Sequence, residues 1–441
     1  MTPSKLCIGL FVSLLLTGSA LAAPLVNCTV DLDRAVLPAG QTQTAVIKIN
    51  LDAAPLPDRT ARPPVNLALV LDRSGSMQGG KITKAREAAI EALRRLNGTD
   101  RFALVAYDHR VDTLVPSQSP RNSSWIESRI RQIRADGNTA LFGAVSQGAA
   151  ETRKHLGDDY IHRVILLSDG LANVGPSSPG DLGRLGAALL KEGISVSTVG
   201  IGTDYNEDLM VQLASRSDGN HYFVAESREL PRIFASELGD VLSTVARRVV
   251  IEIECPEGVK PIRIIGRDGR IHGDRVELRM NQLYGGQNKY ALVEVEIPAG
   301  QPDQKIELAQ VNCRYENTLT AQQEQSAVQV MARYSGSTEE VRKSVKPAVQ
   351  ESVIANEIAE SRDKALDLYN AGRKDEAVRE LEQRRQQIEQ KSQALGMPAL
   401  AAPAATLADE AQEYEADDLD STRKKEIRSE SYRIRKQQKE Y

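Results

Sequence analysis

The chain is poor in most of the residues that announce a chemistry. Its 441 residues hold one Trp, five His and four Cys, and aromatic side chains are only 4% of the total, so packing must rest on aliphatic residues. The histidines, at 109, 155, 162, 221 and 272, fall in no metal-ligand spacing, and His221 reads as a strand residue. No C-x-x-C pair accompanies the cysteines, which argues against a zinc site. The D-x-D-x-T, G-x-S-x-G and P-loop patterns are missing, and no base is placed near Ser74, so no enzyme activity is expected. Excess positive charge is missing too. The 56 basic against 60 acidic residues give a net charge of −4, which speaks against nucleic acid as a partner. After residue 22, no run reaches the ~18 to 20 apolar residues of a membrane-spanning helix.

What is present begins with a secretory pattern. Lys5, an apolar core ending at Leu16 and the A-x-A site Ala20-Leu21-Ala22 predict a signal peptide over residues 1–22. Its removal takes away Lys5 and leaves a net charge of −5, on a chain expected to be exported, periplasmic or secreted. Cys28, Cys255 and Cys313 remain, an odd number in an oxidising compartment, so one disulfide and one free thiol are expected, the pairing left open. The length calls for two or three domains.

Residues 23–62 and 248–335 carry strand-like alternation: Val26, Cys28, Val30 and Leu32; Ile47, Ile49 and Leu51; Ile251 and Ile253; Val276, Leu278 and Met280; Val293, Val295 and Ile297. Two strands cannot bury a face alone, so both flanks are expected to build one antiparallel β-sandwich. A proline-bearing linker leads from the first flank into residues 63–247, where short apolar runs alternate with helical spacings. That alternation predicts an inserted α/β domain with a doubly wound, mostly parallel sheet, residues 111–114 forming an antiparallel edge strand. A helix over residues 230–246 returns the chain to the sandwich. Residues 336–396 predict a helical hairpin turning at Asn370-Ala371-Gly372; it resembles a single tetratricopeptide-type unit, and one unit is not an array. Residues 397–441 follow as a flexible tail: 409–420 hold seven acids and no base, then 421–441 hold eight bases against three acids.

The stretch on which function turns is 67–77, LALVLDRSGSM. An apolar run stops at Asp72, and Ser74 and Ser76 follow on a turn eased by Gly75. In open α/β sheets this carboxyl edge is where ligands bind, and three oxygen-bearing side chains at alternate positions suit a hard divalent cation. Thr139, in a second loop before a helix, and Asp169, after the strand-like VILLS, would reach the same edge. Taken singly, Asp72, Ser74 and Thr139 also fit helix caps and Asp169 a turn. Asp204 and Asp208 sit in or beside a neighbouring loop as rim acids.

D-x-S-x-S with the later Thr and Asp resembles the metal-ion-dependent adhesion site of von Willebrand factor A domains, over about residues 63–247. Flanks of this kind look like bacterial exported proteins that embed such a domain in a β-sandwich. The resemblance implies a dinucleotide-binding-like fold that holds Mg²⁺, with Mn²⁺ or Ca²⁺ as alternatives. Ser74, Ser76 and Thr139 would be direct ligands, Asp72 and Asp169 would act mainly through water, and a partner's Asp or Glu carboxylate would complete the shell. The function so implied is an exported protein-binding module for adhesion or scaffolding. The alternative is a scaffold acting through the β-sandwich and helical tail, the metal only stabilising the loops.

Overall fold

The computed structural model describes residues 24–56, 62–157, 159–417 and 419–439; the expected signal peptide lies outside them. Strands β1 (Val26–Leu32), β2 (Val36–Pro38) and β3 (Gln43–Ala53) come first. The inserted domain follows as β4 (Val65–Asp72), α1 (Gly80–Arg95), β5 (Arg101–Tyr107), β6 (Val111–Gln118), α2 (Ser123–Arg131), α3 (Leu141–Arg153), β7 (Ile161–Ser168), α4 (Pro179–Lys191), β8 (Ile194–Ile201), α5 (Glu207–Arg216), β9 (His221–Val224) and α6 (Leu230–Leu242). The chain then returns through β10 (Thr244–Glu254), β11 (Lys260–Ile265), β12 (Arg270–His272), β13 (Arg275–Tyr284), β14 (Asn288–Ile297), β15 (Lys305–Asn317) and β16 (Gln323–Ser335). It closes with helices α7 (Thr338–Lys343), α8 (Pro347–Asn370), α9 (Lys374–Leu395), α10 (Ala402–Ala416) and α11 (Ser421–Lys436).

The inserted sheet runs β6-β5-β4-β7-β8-β9, parallel except for β6. Every residue of β4 is buried because the strand feeds two cores. Leu67, Leu69 and Leu71 face the side of α1 and α6, while Ala68 and Val70 face the side of α3. Period-two alternation of apolar residues on both faces is the signature of a strand covered on both sides. The two flanks build the expected sandwich: β1-β3-β14-β11 packs on β12-β13-β10-β15-β16-β2 over a shared aliphatic core. A disulfide from Cys28 on β1 to Cys313 on β15 joins the two sheets. Cys255 is buried and free, its thiol pushed up to about 11 by that burial and by Asp274.

The sheet's amino edge rests on the sandwich through a buried polar cluster. Arg163 on β7 is fully buried and donates to Ser197 (3.0 Å), to Gln282 Oε1 (2.6 Å) and to Tyr284 OH (2.6 Å), the last two on β13. Glu237 of α6 lies 3.6 Å away and accepts from Tyr222 and Asn220, at 2.8 Å each. A buried charge is tolerable only when paired and hydrogen-bonded; here Glu237 supplies the opposite charge and both terminal nitrogens of Arg163 are bonded, while its Nε has no partner.

Two expectations need correction. The helix expected to continue to residue 246 ends at Leu242, since Thr244 and Ala246 already pair with Tyr284 and Leu283 of β13. The C-terminal segment expected to be a flexible tail is helical and docked. Its acidic and basic blocks have specific partners: Glu410 takes Arg362 at 2.6 Å, Lys425 reaches Glu207 at 2.7 Å, and Arg428 reaches Asp363 at 3.0 Å and Asp208 at 2.9 Å. Leu407, Tyr414, Ile427 and Tyr432 are buried, so α10 and α11 complete a helical bundle with the hairpin α8–α9. Asp208 is therefore a docking residue for α11. Gln438 brackets the β9 edge, accepting from His221 N (3.2 Å) and donating to His221 O (3.1 Å), and the Tyr432 ring stands edge-on to the His221 ring.

Two outcomes follow from these contacts. Arg163→Met alone strands Glu237 in the interior, and Glu237→Gln strands Arg163; each should cost about 3 to 5 kcal/mol in urea unfolding, and a loss below about 1 kcal/mol would contradict the role given to the cluster. His221 is held down to about 3 by burial first, then by Arg428 and Lys425. Unfolded, it takes up a proton below about pH 6.5, so its contribution is complete above that pH and is lost as pH falls toward 3. His221→Gln should therefore flatten the acid limb of a Tm-versus-pH curve, and an unchanged limb would contradict it.

Candidate metal site

Strand β4 delivers Asp72 to the free, carboxyl edge of the sheet, where the chain leaves in a tight turn followed by a short 3-10 turn over Gly75–Met77. Asp72 is fully buried. Its Oδ1 accepts from Ser74 N at 2.8 Å and its Oδ2 from Ser168 Oγ at 2.6 Å. Burial pushes its carboxyl up to about 6, against the lowering effect of the Ser168 and Ser74 bonds. Ser74 Oγ and Ser76 Oγ are 3.0 Å apart, and Ser76 Oγ donates to Asp169 Oδ1 at 2.7 Å. Asp169, also fully buried, receives Lys81 Nζ on Oδ2 at 2.6 Å.

The second loop is laced to the first by backbone bonds from Gly75 N to Gly137 O (2.9 Å) and from Asp136 N to Arg73 O (2.7 Å), and to the β5–β6 turn by Ala140 N to Asp108 O (2.8 Å). Gly137 has φ +83°, and a Cβ there would lie 2.5 Å from His109 Nδ1, so only glycine fits. Asn173, beyond β7, fixes Thr139 by accepting from its N–H at 2.9 Å and donating its own to Thr139 O at 3.2 Å. A Cβ on Gly170 would stand 3.1 Å from Thr139 Oγ1, 3.3 Å from Ser76 Oγ and 3.7 Å from Ser74 Oγ. The bare Gly170 thus leaves a space bordered by all three hydroxyls.

All five predicted residues, Asp72, Ser74, Ser76, Thr139 and Asp169, accordingly meet at one sheet edge from three loops. Neither Ser74 nor Thr139 caps a helix: the Ser74 side chain makes no capping bond, and the residue before α3 is Ala140. Two carboxylates with three hydroxyls are an all-oxygen donor set of the kind hard divalent cations take. Among the described residues no group of three or more His, Cys, Asp or Glu side chains is placed to hold a metal. Sequence reasoning missed the supports. Ser168, beside Asp169, and Lys81, the second residue of α1, carry no sequence signal of their bonds to Asp72 and Asp169.

Residues 66–236 match the model of the von Willebrand factor type A domain. The chain is 28% identical over 346 residues to uncharacterized protein sll0103 of Synechocystis sp., covering 72% of this chain and 79% of that protein. It is 28% identical over 233 residues to uncharacterized protein YfbK of Escherichia coli, covering 52% of this chain and 40% of YfbK; the chain thus spans less than half of the latter. A solved structure described as von Willebrand factor type A from Catenulispora acidiphila superposes with a TM-score of 0.68 at 18% identity, over 85% of this chain and 89% of that one. At that identity the likeness shows a shared fold, and it extends beyond the inserted domain.

Ser168→Ala removes the buried donor to Asp72 Oδ2 and should cost about 1 to 3 kcal/mol in chemical denaturation. A change within about 0.5 kcal/mol, the range of neutral surface substitutions, would contradict that assignment.

Proposed function

We propose that the carboxyl edge of the inserted sheet holds a divalent cation, Mg²⁺ with Mn²⁺ or Ca²⁺ as alternatives, and uses it to capture an Asp or Glu carboxylate on a protein partner. The observation that carries this reading is that the hydroxyls of Ser74, Ser76 and Thr139 border the space left by Gly170, with Asp72 bonded to Ser74 N and Asp169 to Ser76 Oγ behind them. Ser74, Ser76 and Thr139 would offer their hydroxyl oxygens, with Asp72 and Asp169 behind them as the charged support. When bound, the ion would supply an electrophilic coordination position facing solvent. Charge balance supports a carboxylate there: Asp72 and Asp169 bring two negative charges and Lys81 returns one. A dication would leave the site with one positive charge, which one partner carboxylate neutralises.

A binding role is supported over catalysis by the commitments of the hydroxyls, since Ser74 Oγ bonds Ser76 Oγ and Ser76 Oγ bonds Asp169. Serine nucleophiles need a base free to take the proton, and Asp169 is already engaged by Lys81. Export to the periplasm or beyond is supported by the inter-sheet disulfide, since such bonds persist in oxidising compartments. Among the described residues, no helix is long and apolar enough to cross a membrane.

Saturating Mg²⁺, about 100 times its Kd, should stabilise the full chain by about 2.7 kcal/mol, and Asp72→Ala should abolish that gain. The same protein used to capture partners from envelope extract should retain a band with Mg²⁺ and lose it with chelator or with Asp72→Ala. A band indifferent to both would contradict the reading and move partner binding to the sandwich or the helical bundle.

A further inference from the structure

We propose that the cleft where the inserted domain, the sandwich and the C-terminal helix meet binds a small soluble polyanion, a molecule bearing two or more phosphate or carboxylate groups. The cleft has a volume of about 500 Å³, within the range of small-molecule sites, roughly 300 to 1,000 Å³. It opens between the ends of α4 and α5 on one side and the β11–β12 turn and β13 on the other, with the end of α11 closing it.

Its walls carry a surplus of positive charge. Lys191, Arg216, Arg267, Arg270, Arg279 and Lys436 line it, against Asp218, Asp268 and Glu277. Arg279 is paired with Glu277 at 2.9 Å and Arg216 with Asp268 at 3.6 Å. The remaining carboxylate, Asp218, is buried and is shared by Lys436, Arg267 and, from behind the wall, Lys289. Burial pushes the Asp218 carboxyl up, yet these cations outweigh it and hold it below the usual carboxylate range. Lys289 and Lys436 are each pushed down to about 8, by burial first. Arg267 and Lys436 spend donors on neutral acceptors, Gln437 Oε1 at 2.6 Å and Ser215 O at 3.2 Å, which fixes the cations without cancelling their charge. The C-termini of α4 and α5 point carbonyls toward this region and offset about half a charge each. A surplus of about two positive charges is left on the lining after that offset.

Desolvated like charges repel at a cost that an anionic ligand relieves, and the cations stand on three different elements, so a ligand with more than one anionic group can engage them together. Lys191 and Arg270 are exposed at the mouth, where they can close on such a ligand.

Pyrophosphate titrated calorimetrically into the full chain, in metal-free buffer at about 0.15 M ionic strength, is the test. A single saturable site is expected, weakened at least about tenfold in the Lys191→Ser/Arg270→Ser double variant and unchanged in Arg228→Ser, a charge loss on an exposed residue elsewhere. Both positions of the double variant are exposed, and a thermal melt within a degree or two of the parent verifies that it is folded. No saturable heat at millimolar pyrophosphate would overturn the proposal, and so would equal affinity in the double variant or an equal loss in Arg228→Ser.

Discussion

A fully buried guanidinium holds the architecture together. Arg163 projects from β7 into a junction where β8, β9, α6 and β13 meet, and its ties to Gln282 and Tyr284 make the sandwich part of the inserted domain's own core. The same strand ends at Ser168, and Asp169 follows it, six residues from Arg163 and about 20 Å along an extended chain. One end of β7 is therefore anchored in the sandwich and the other presents a carboxylate at the free edge. The rigidity that a coordination site requires comes from this arrangement, because loops set on buried parallel strands have little room to move.

Electrostatics is arranged differently at each surface of the inserted domain. At the carboxyl edge, two buried carboxylates face one lysine, a deficit of positive charge. Along the α5–β9 side, the C-terminal helix brings Lys425 and Arg428 to Glu207 and Asp208, so acids at the start of α5 are consumed in docking. At the far ends of α4 and α5, basic residues outnumber acids. The edge with spare negative charge is suited to a cation and the cleft with spare positive charge to an anion. Neither property shows in the chain's near-neutral balance of 56 basic and 60 acidic residues.

Much of the fold and the five site residues were legible because they follow from local rules. Strands buried on both faces, such as β4 and β8, read as short continuous apolar runs. The candidate positions follow a strand end at fixed spacing, so Asp72, Ser74 and Ser76 needed no tertiary knowledge. What was not legible depends on long-range partners. The Cys28–Cys313 pairing joins residues 285 apart, and three cysteines alone leave the choice open. The C-terminal charge blocks look solvated in sequence because their complements, Arg362, Asp363 and Glu207, lie in α8 and α5. Strand β16 exposes alternate residues over most of its length, and its first four residues, Gln323 to Ser326, carry no apolar side chain to mark where it begins. Ser168 and Lys81 acquire roles only once β7 and α1 are set beside β4.

The central claim is that the hydroxyls of Ser74, Ser76 and Thr139 surround an ion position, and diffraction tests it most directly. Crystals of the full chain grown with Mn²⁺, measured at a wavelength where manganese scatters anomalously, should show one strong anomalous peak within coordination distance, about 2.0 to 2.4 Å, of these three oxygens. A manganese peak elsewhere, or Ser76 Oγ still bonded to Ser74 Oγ and Asp169 with no ion beside them, would contradict the claim.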